Sequence, residues 1–153
     1  MFKEAIITFF TAMMPVVECR GAIPYGVLAG LSVPAAFIIS VLGNLAPIPF
    51  AVVFIRRFFE WLRTINSFFD KIVSWFEAKA ERNKGKVLQY EFWGLVLLVA
   101  IPLPGTGAWT GALVAAMMDM RLKRAMPAIS LGVLIAAIIV TTLTYGAGAM
   151  LSL

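Results

Sequence analysis

Apolar residues fall into four long stretches, at positions 5–31, 34–55, 92–118 and 125–153. The first is interrupted at Glu18-Cys19-Arg20-Gly21 and again at Pro24. The third is interrupted at Pro102-Leu-Pro104-Gly105-Thr106-Gly107. A helix needs roughly 20 apolar residues to cross a hydrocarbon core about 30 Å thick. The second stretch, 22 uncharged residues containing Asn44, Pro47 and Pro49, meets that length, and so does the fourth, with 29 uncharged residues. The pieces of the interrupted stretches are shorter: at ~1.5 Å per residue, positions 5–17 reach only about 20 Å as helix. Each interrupted stretch is therefore a kinked span or a re-entrant hairpin.

Charge decides between these two. Of thirteen Lys and Arg residues, eight lie between Arg56 and Lys86, and three form the cluster Arg121-Leu-Lys123-Arg124. Excess Lys and Arg mark cytoplasmic loops. Four crossings would put the two basic clusters on opposite sides, whereas two hairpins and two spans put both in the cytoplasm. The sequence thus predicts one all-α integral membrane domain over 1–153. Its parts are a first hairpin and span (1–55), a cytoplasmic amphipathic segment (56–91), and a second hairpin and span (92–153). Both termini are expected outside the inner membrane. The halves then have opposite orientation, an inverted repeat of the kind transporters use. A sequence echo accompanies it, between Gly21-Ala-Ile-Pro-Tyr-Gly26 and Gly105-Thr-Gly-Ala-Trp-Thr-Gly111. The small-residue pairs Gly26/Gly30 and Gly107/Gly111 are expected to permit close helix approach. Between the halves, Phe58, Leu62, Ile65, Phe69, Ile72 and Phe76 recur at helical spacing, predicting an amphipathic helix in the interface. Lys3 and the apolar run after it imitate a signal peptide, but no small-residue cleavage site precedes Glu18, so cleavage is not expected.

Composition removes other classes. With 61% hydrophobic and 14% charged residues, the chain does not fit a soluble enzyme or a nucleic-acid module, whatever its net charge of +5. One cysteine and no histidine exclude an intrachain disulfide and a Cys/His zinc site. No catalytic dyad or metal cluster is apparent, so neither an enzyme nor a cofactor is expected, although proton coupling is compatible with Glu18.

Glu18 and Arg20 are the sharpest candidates, since ionisable groups inside a membrane segment default to a functional role. Two residues apart, they do not face each other on a helix, but in an extended hairpin tip they do. The loop at Pro102–Gly107 is the second candidate, with Thr106 as the expected N-cap of the arm after it. Its free N–H groups would receive an anion at a helix N-terminus. Gly21 and Pro24 suggest the same arrangement in the first hairpin. Asn44 and Asp119 are candidate gating residues, and Cys19 reads as a small filler.

Glu18-Cys-Arg20-Gly21-Ala-Ile-Pro24 and Pro102-Leu-Pro-Gly-Thr-Gly-Ala-Trp-Thr-Gly111, in so short a chain, resemble the small multidrug export protein family. That family is similar to the DedA superfamily, which implies two opposed re-entrant hairpins carrying acidic and arginine residues. It also implies translocation of lipid phosphates, including undecaprenyl phosphate. The chain departs from the DedA pattern at Thr106, where an acidic residue usually follows Pro-Gly. The resulting expectation is a homodimeric transporter of an amphipathic substrate, with a lipid phosphate such as a polyprenyl phosphate first. In it Glu18 is the proton-responsive carboxylate, Arg20 the headgroup ligand, and the backbone of Pro102, Pro104, Gly105, Thr106 and Gly107 the headgroup cradle. Export of a cationic amphiphile with Glu18 as counter-ion is the alternative, and a non-transporting membrane scaffold is the third.

Overall fold

The computed structural model describes residues 2–65, 84–103 and 106–146, with positions 71 and 74 in isolation. Among the described residues there are seven helices and no strand. They are α1 (Phe2–Met13), α2 (Glu18–Leu28), α3 (Val33–Leu45), α4 (Ile48–Ile65), α5 (Lys84–Ala100), α6 (Ala108–Met117) and α7 (Leu122–Tyr145). Positions 66–70, 72, 73, 75 and 76 of the amphipathic helix expected at 58–76 lie outside the described residues, as do Pro104, Gly105 and positions 147–153.

The first interruption falls earlier than expected. α1 ends at Met13, the turn occupies positions 14–17, and Glu18 and Arg20 already sit in the first turn of α2. Pro15 explains this: it lacks an N–H, and its ring forces the preceding residue out of helical geometry. Pro24 breaks nothing and sits inside α2. The second stretch is also longer than expected, because α4 runs through Arg56 and Arg57 to Ile65. α3 and α4 meet at Ala46–Pro47, and together they form an apolar path over Val33–Trp61. Arg56 therefore lies on a helix and not in a loop.

The core is made of small residues. Ala12, Ala22, Ala36, Ala108, Ala112 and Ala125 are fully buried, whereas Phe10, Leu28, Phe54, Leu97 and Leu143 point outward. Lipid tails are as apolar as leucine, so membrane helices associate through close backbone approach at small residues. α1 and α2 pack on each other and on α3; α5 and α6 pack on each other and on α7. Four cross-contacts join the first four helices to the last three: α2 and α3 lie on α7, and α4 lies on α6 and, less closely, on α7.

The turns after α2 and α6 have the same backbone course. Leu31 N–H donates to Gly26 O at 3.0 Å, and Met120 N–H donates to Ala115 O at 2.9 Å, the long bond of a Schellman cap. Gly30 and Asp119 both take positive φ, at 97° and 50°. Ser32 and Arg121 follow as N-caps with extended backbone. One constant interval separates all these pairs, and it also relates Gly43 of α3 to Gly132 of α7. A Cβ on Gly43 would strike the Phe9 carbonyl of α1. A Cβ on Gly132 would lie 2.6 Å from Val99 Cβ and 2.9 Å from Val96 O of α5. The same register pairs Gly26 with Ala115, one helical turn away from the sequence echo. Gly26 does permit close approach, to Thr8 and Ala36. Gly30 instead meets open space, so its glycine serves the positive φ of the turn.

Gly43→Ala and Gly132→Ala should each lower stability by about 1–3 kcal/mol through overpacking. Gly94→Ala, where the new methyl group enters open space, should be neutral or stabilising. Thermal unfolding of the purified protein in detergent checks the contrast; equal melting temperatures for all three would refute it.

Candidate functional site

A helix interrupted inside a bilayer leaves N–H groups at one end and carbonyls at the other, and hydrocarbon supplies no partner for either. The interruption at 101–107 leaves the carbonyl end of α5 facing the N–H end of α6. Both ends are met by side chains of α2. Arg20 Nη1 donates to Leu103 O at 2.7 Å and to Thr106 O at 2.8 Å. Its Nη2 donates to Ile101 O at 3.1 Å, Val99 O at 3.3 Å and Thr106 Oγ1 at 3.2 Å. The guanidinium thus gathers the carbonyls that α5 leaves unpaired. Two residues away, the Glu18 carboxylate accepts from Trp109 N–H at 3.2 Å and lies against the Gly107 backbone. It caps α6 from another helix.

Each charge also sits at the favourable end of a helix dipole: the cation at the C-terminus of α5, the anion at the N-terminus of α6. Glu18 and Arg20 are not an ion pair closed on itself, but are spent on opposite ends of one interruption. Gly107 makes this possible twice over. Its φ of 133° disfavours a side chain, and a Cβ there would collide with the Glu18 carboxylate. Glu18 itself holds a φ of 52°, costly for a glutamate, at the residue that aims its side chain across the gap.

The exchange runs in the other direction as well. Trp109 Nε1–H donates at 3.1 Å to the carbonyl of Met13, the last residue of α1. Each interruption therefore supplies partners for the other. Trp109 was in the motif read from the sequence but was given no role there. A buried indole N–H requires an acceptor, which is the signal that pointed to one.

The remaining candidates divide. Thr106 is not the N-cap of α6; that place is Gly107. The Thr106 hydroxyl donates back to the loop, toward Ile101 O at 2.7 Å and Leu103 O at 2.8 Å, because Glu18 already holds the N–H end. Pro102 is exposed, Gly21 packs on Val17, and Pro24 lies farther along α2 away from the tip. Pro104 and Gly105 lie outside the described residues. Asp119 sits in the α6–α7 turn, where Arg56 of α4 reaches both its carboxylate, at 3.2 Å, and the Met120 carbonyl. Sequence reading placed Arg56 at the start of the cytoplasmic amphipathic segment and gave it no partner. Asn44 is fully buried, and neither its amide nitrogen nor its oxygen has a hydrogen-bond partner, although Cys19 lies beside it; Ser40, one turn earlier, is likewise unsatisfied. Among the described residues, no group of acidic, Cys or His side chains forms a metal site.

A family model described as "Putative small multi-drug export protein" matches residues 18–139. The chain belongs to this family. The match begins at Glu18, just after the first interruption, and takes in the second, so Glu18, Arg20 and Trp109 lie within the family's region and Met13 lies outside it. Membership and the long apolar helices agree in making this a membrane protein of an export family. No curated protein and no solved structure matches it.

Glu18→Ala should destabilise the export protein by about 1–2 kcal/mol, the usual cost of losing an N-cap, and Glu18→Gln by less, since an amide oxygen still accepts. Arg20→Lys should fail to rescue Arg20→Ala, because an ammonium has three donors and no planar fork for the carbonyls it must serve. Asn44→Leu should stabilise, by removing two unsatisfied polar atoms. Melting temperatures in detergent decide all three, and an unchanged value for Glu18→Ala would sink the capping assignment.

Proposed function

We propose that this protein exports amphipathic molecules by alternating access between two opposed re-entrant hairpins, each followed by a membrane span. The observation that carries the reading is the reciprocal capping of the two interruptions, which makes their tips one polar junction in an apolar domain. Lengths agree with it. From Ser32 to Arg56 the helical path rises about 35 Å and α7 about the same, enough for a core about 30 Å thick. α2 and α6 rise only about 15–17 Å, half that depth. The matching turns then lie on opposite faces, 29–32 outside and 118–121 in the cytoplasm with the basic cluster.

In this mechanism Glu18 is the coupling group. Among the described residues it is the buried charged side chain. Adding a proton would remove the negative charge from the α6 N-terminus and weaken the junction, so that one hairpin can move against the other. Arg20 holds the α5 end and keeps the second hairpin folded through the cycle.

The same geometry alters the expected cargo. A lipid phosphate was expected to use Arg20 and the free N–H groups of the second loop. Here Arg20 serves five acceptors and the N–H end of α6 holds a carboxylate. Both anion-binding devices are already occupied by the protein itself. We therefore favour a cationic amphiphile over a lipid phosphate, in line with the family description.

In proteoliposomes with an imposed proton gradient, the protein should drive efflux of a quaternary ammonium and should not flip a fluorescent polyprenyl phosphate. Glu18→Gln should retain downhill exchange but lose gradient-driven efflux. Flipping without efflux would restore the lipid-phosphate assignment, and neither activity would favour a scaffold. For topology, an impermeant maleimide should label Ser32→Cys from outside and Lys123→Cys only from the cytoplasmic face. Labelling of both from one face would overturn the opposed arrangement.

A further inference from the structure

At the end of the second hairpin remote from its tip, α5 and α6 diverge and leave an open groove of about 310 Å³. That size is at the lower end of the range of small-molecule sites. Tyr90, Glu91 and Gly94 line it from α5, Val114 and Met118 from α6, and Met120 from the turn beyond. Its surface is almost wholly apolar, and Glu91 is the charged residue among those lining it. Gly94 leaves the α5 wall of this opening bare, and a Cβ placed there meets nothing within 4 Å. A glycine inside a helix costs about 1 kcal/mol relative to alanine. Here no close contact, and no positive φ, accounts for that cost.

We propose that this groove is a binding site for the apolar part of an amphipathic cation, with the Glu91 carboxylate receiving its positive head. The assignment rests on the export reading above and gives it an entry site. Charge complementarity selects the occupant. Glu91 is half-buried at the rim and, among the described residues, forms no ion pair; Arg124 of α7 acts on it only through its field. A carboxylate so placed attracts an ammonium and repels a phosphate. Tyr90, three-quarters exposed beside it, offers a ring face on which a quaternary ammonium can rest. Met118 and Met120 supply flexible, polarisable walls suited to alkyl and aromatic tails of differing shape. The groove lies next to the Met120 carbonyl and Asp119, which Arg56 holds against α4, so occupancy at this end abuts the tie between the two halves.

The test uses full-length protein in phosphatidylcholine nanodiscs and tritiated dodecyltrimethylammonium as the probe. Wild type should bind it saturably. Gly94→Leu fills the groove while improving helix propensity, so it should fold with an unchanged or higher melting temperature and lose affinity at least about tenfold. Glu91→Gln should lose a comparable factor for the cation yet bind dodecanol as wild type does, and Glu91→Asp should recover most of the affinity. Wild-type affinity in Gly94→Leu would overturn the site. Equal affinity of Glu91→Gln for cation and alcohol at the wild-type level would reduce the groove to a charge-blind lipid contact and overturn the assignment. The two readings fail separately. Saturable binding lost in Gly94→Leu, without efflux from proteoliposomes, leaves the site and removes the transport function. Wild-type affinity together with efflux that persists in Gly94→Leu removes the site and leaves the transport function.

Discussion

Backbone polar groups freed inside a hydrocarbon layer must find partners within the protein, and this requirement organises the molecule. An interrupted helix of ordinary length exposes several such groups at each broken end, each unpaired one costing several kcal/mol in lipid. Arg20 and Glu18 meet the two ends of the 101–107 interruption from one turn of α2, and Trp109 returns a donor to the end of α1. Two ionisable groups set inside an apolar membrane protein would ordinarily be a liability. Here each sits at the helix end whose dipole favours its sign and hydrogen-bonds the groups left open there, so the cost of the charges and the cost of the break offset one another.

Small residues carry the rest. Gly43 against the Phe9 carbonyl and Gly132 against Val96 and Val99 let α3 and α7 approach α1 and α5 to backbone distance. The recurrence of one turn, with Gly30 in one half and Asp119 in the other, shows the same backbone course realised by different chemistry. Glycine reaches positive φ at no steric cost, whereas aspartate tolerates it and adds a carboxylate that Arg56 holds.

Much of this was legible in the sequence. The two uninterrupted stretches and the two broken ones follow from runs of uncharged residues, and Glu18 and Arg20 announced themselves as charges where charges are expensive. What each of them touches was not legible, because the partners of Arg20 are main-chain carbonyls that every residue possesses. The position of the first break was misread because Pro24 and Pro15 have equal weight in a sequence. Only the surrounding hydrogen bonds show that a proline is tolerated at one site and ends a helix at the other. The extent of α4 was hidden for a related reason: Arg56 read as the start of the amphipathic segment, and its partner lay more than sixty positions away. The register between the halves was hidden as well, since it resides in backbone angles and hydrogen bonds while the matching side chains differ.

The distance along the chain between donors and acceptors has a consequence for how the protein is made. Arg20 and Leu103 are 83 positions apart, and Glu18 and Trp109 are 91. At synthesis rates of about 5–20 residues per second, on the order of ten seconds separate the emergence of each charge from that of its partner. Through that interval Glu18 and Arg20 lack every partner that they hold in the finished fold, and neither end of the 101–107 interruption can be capped. Synthesis as far as residue 109 is therefore the earliest point at which both charges are satisfied, and a chain that stops short of it leaves them without their acceptor and donor.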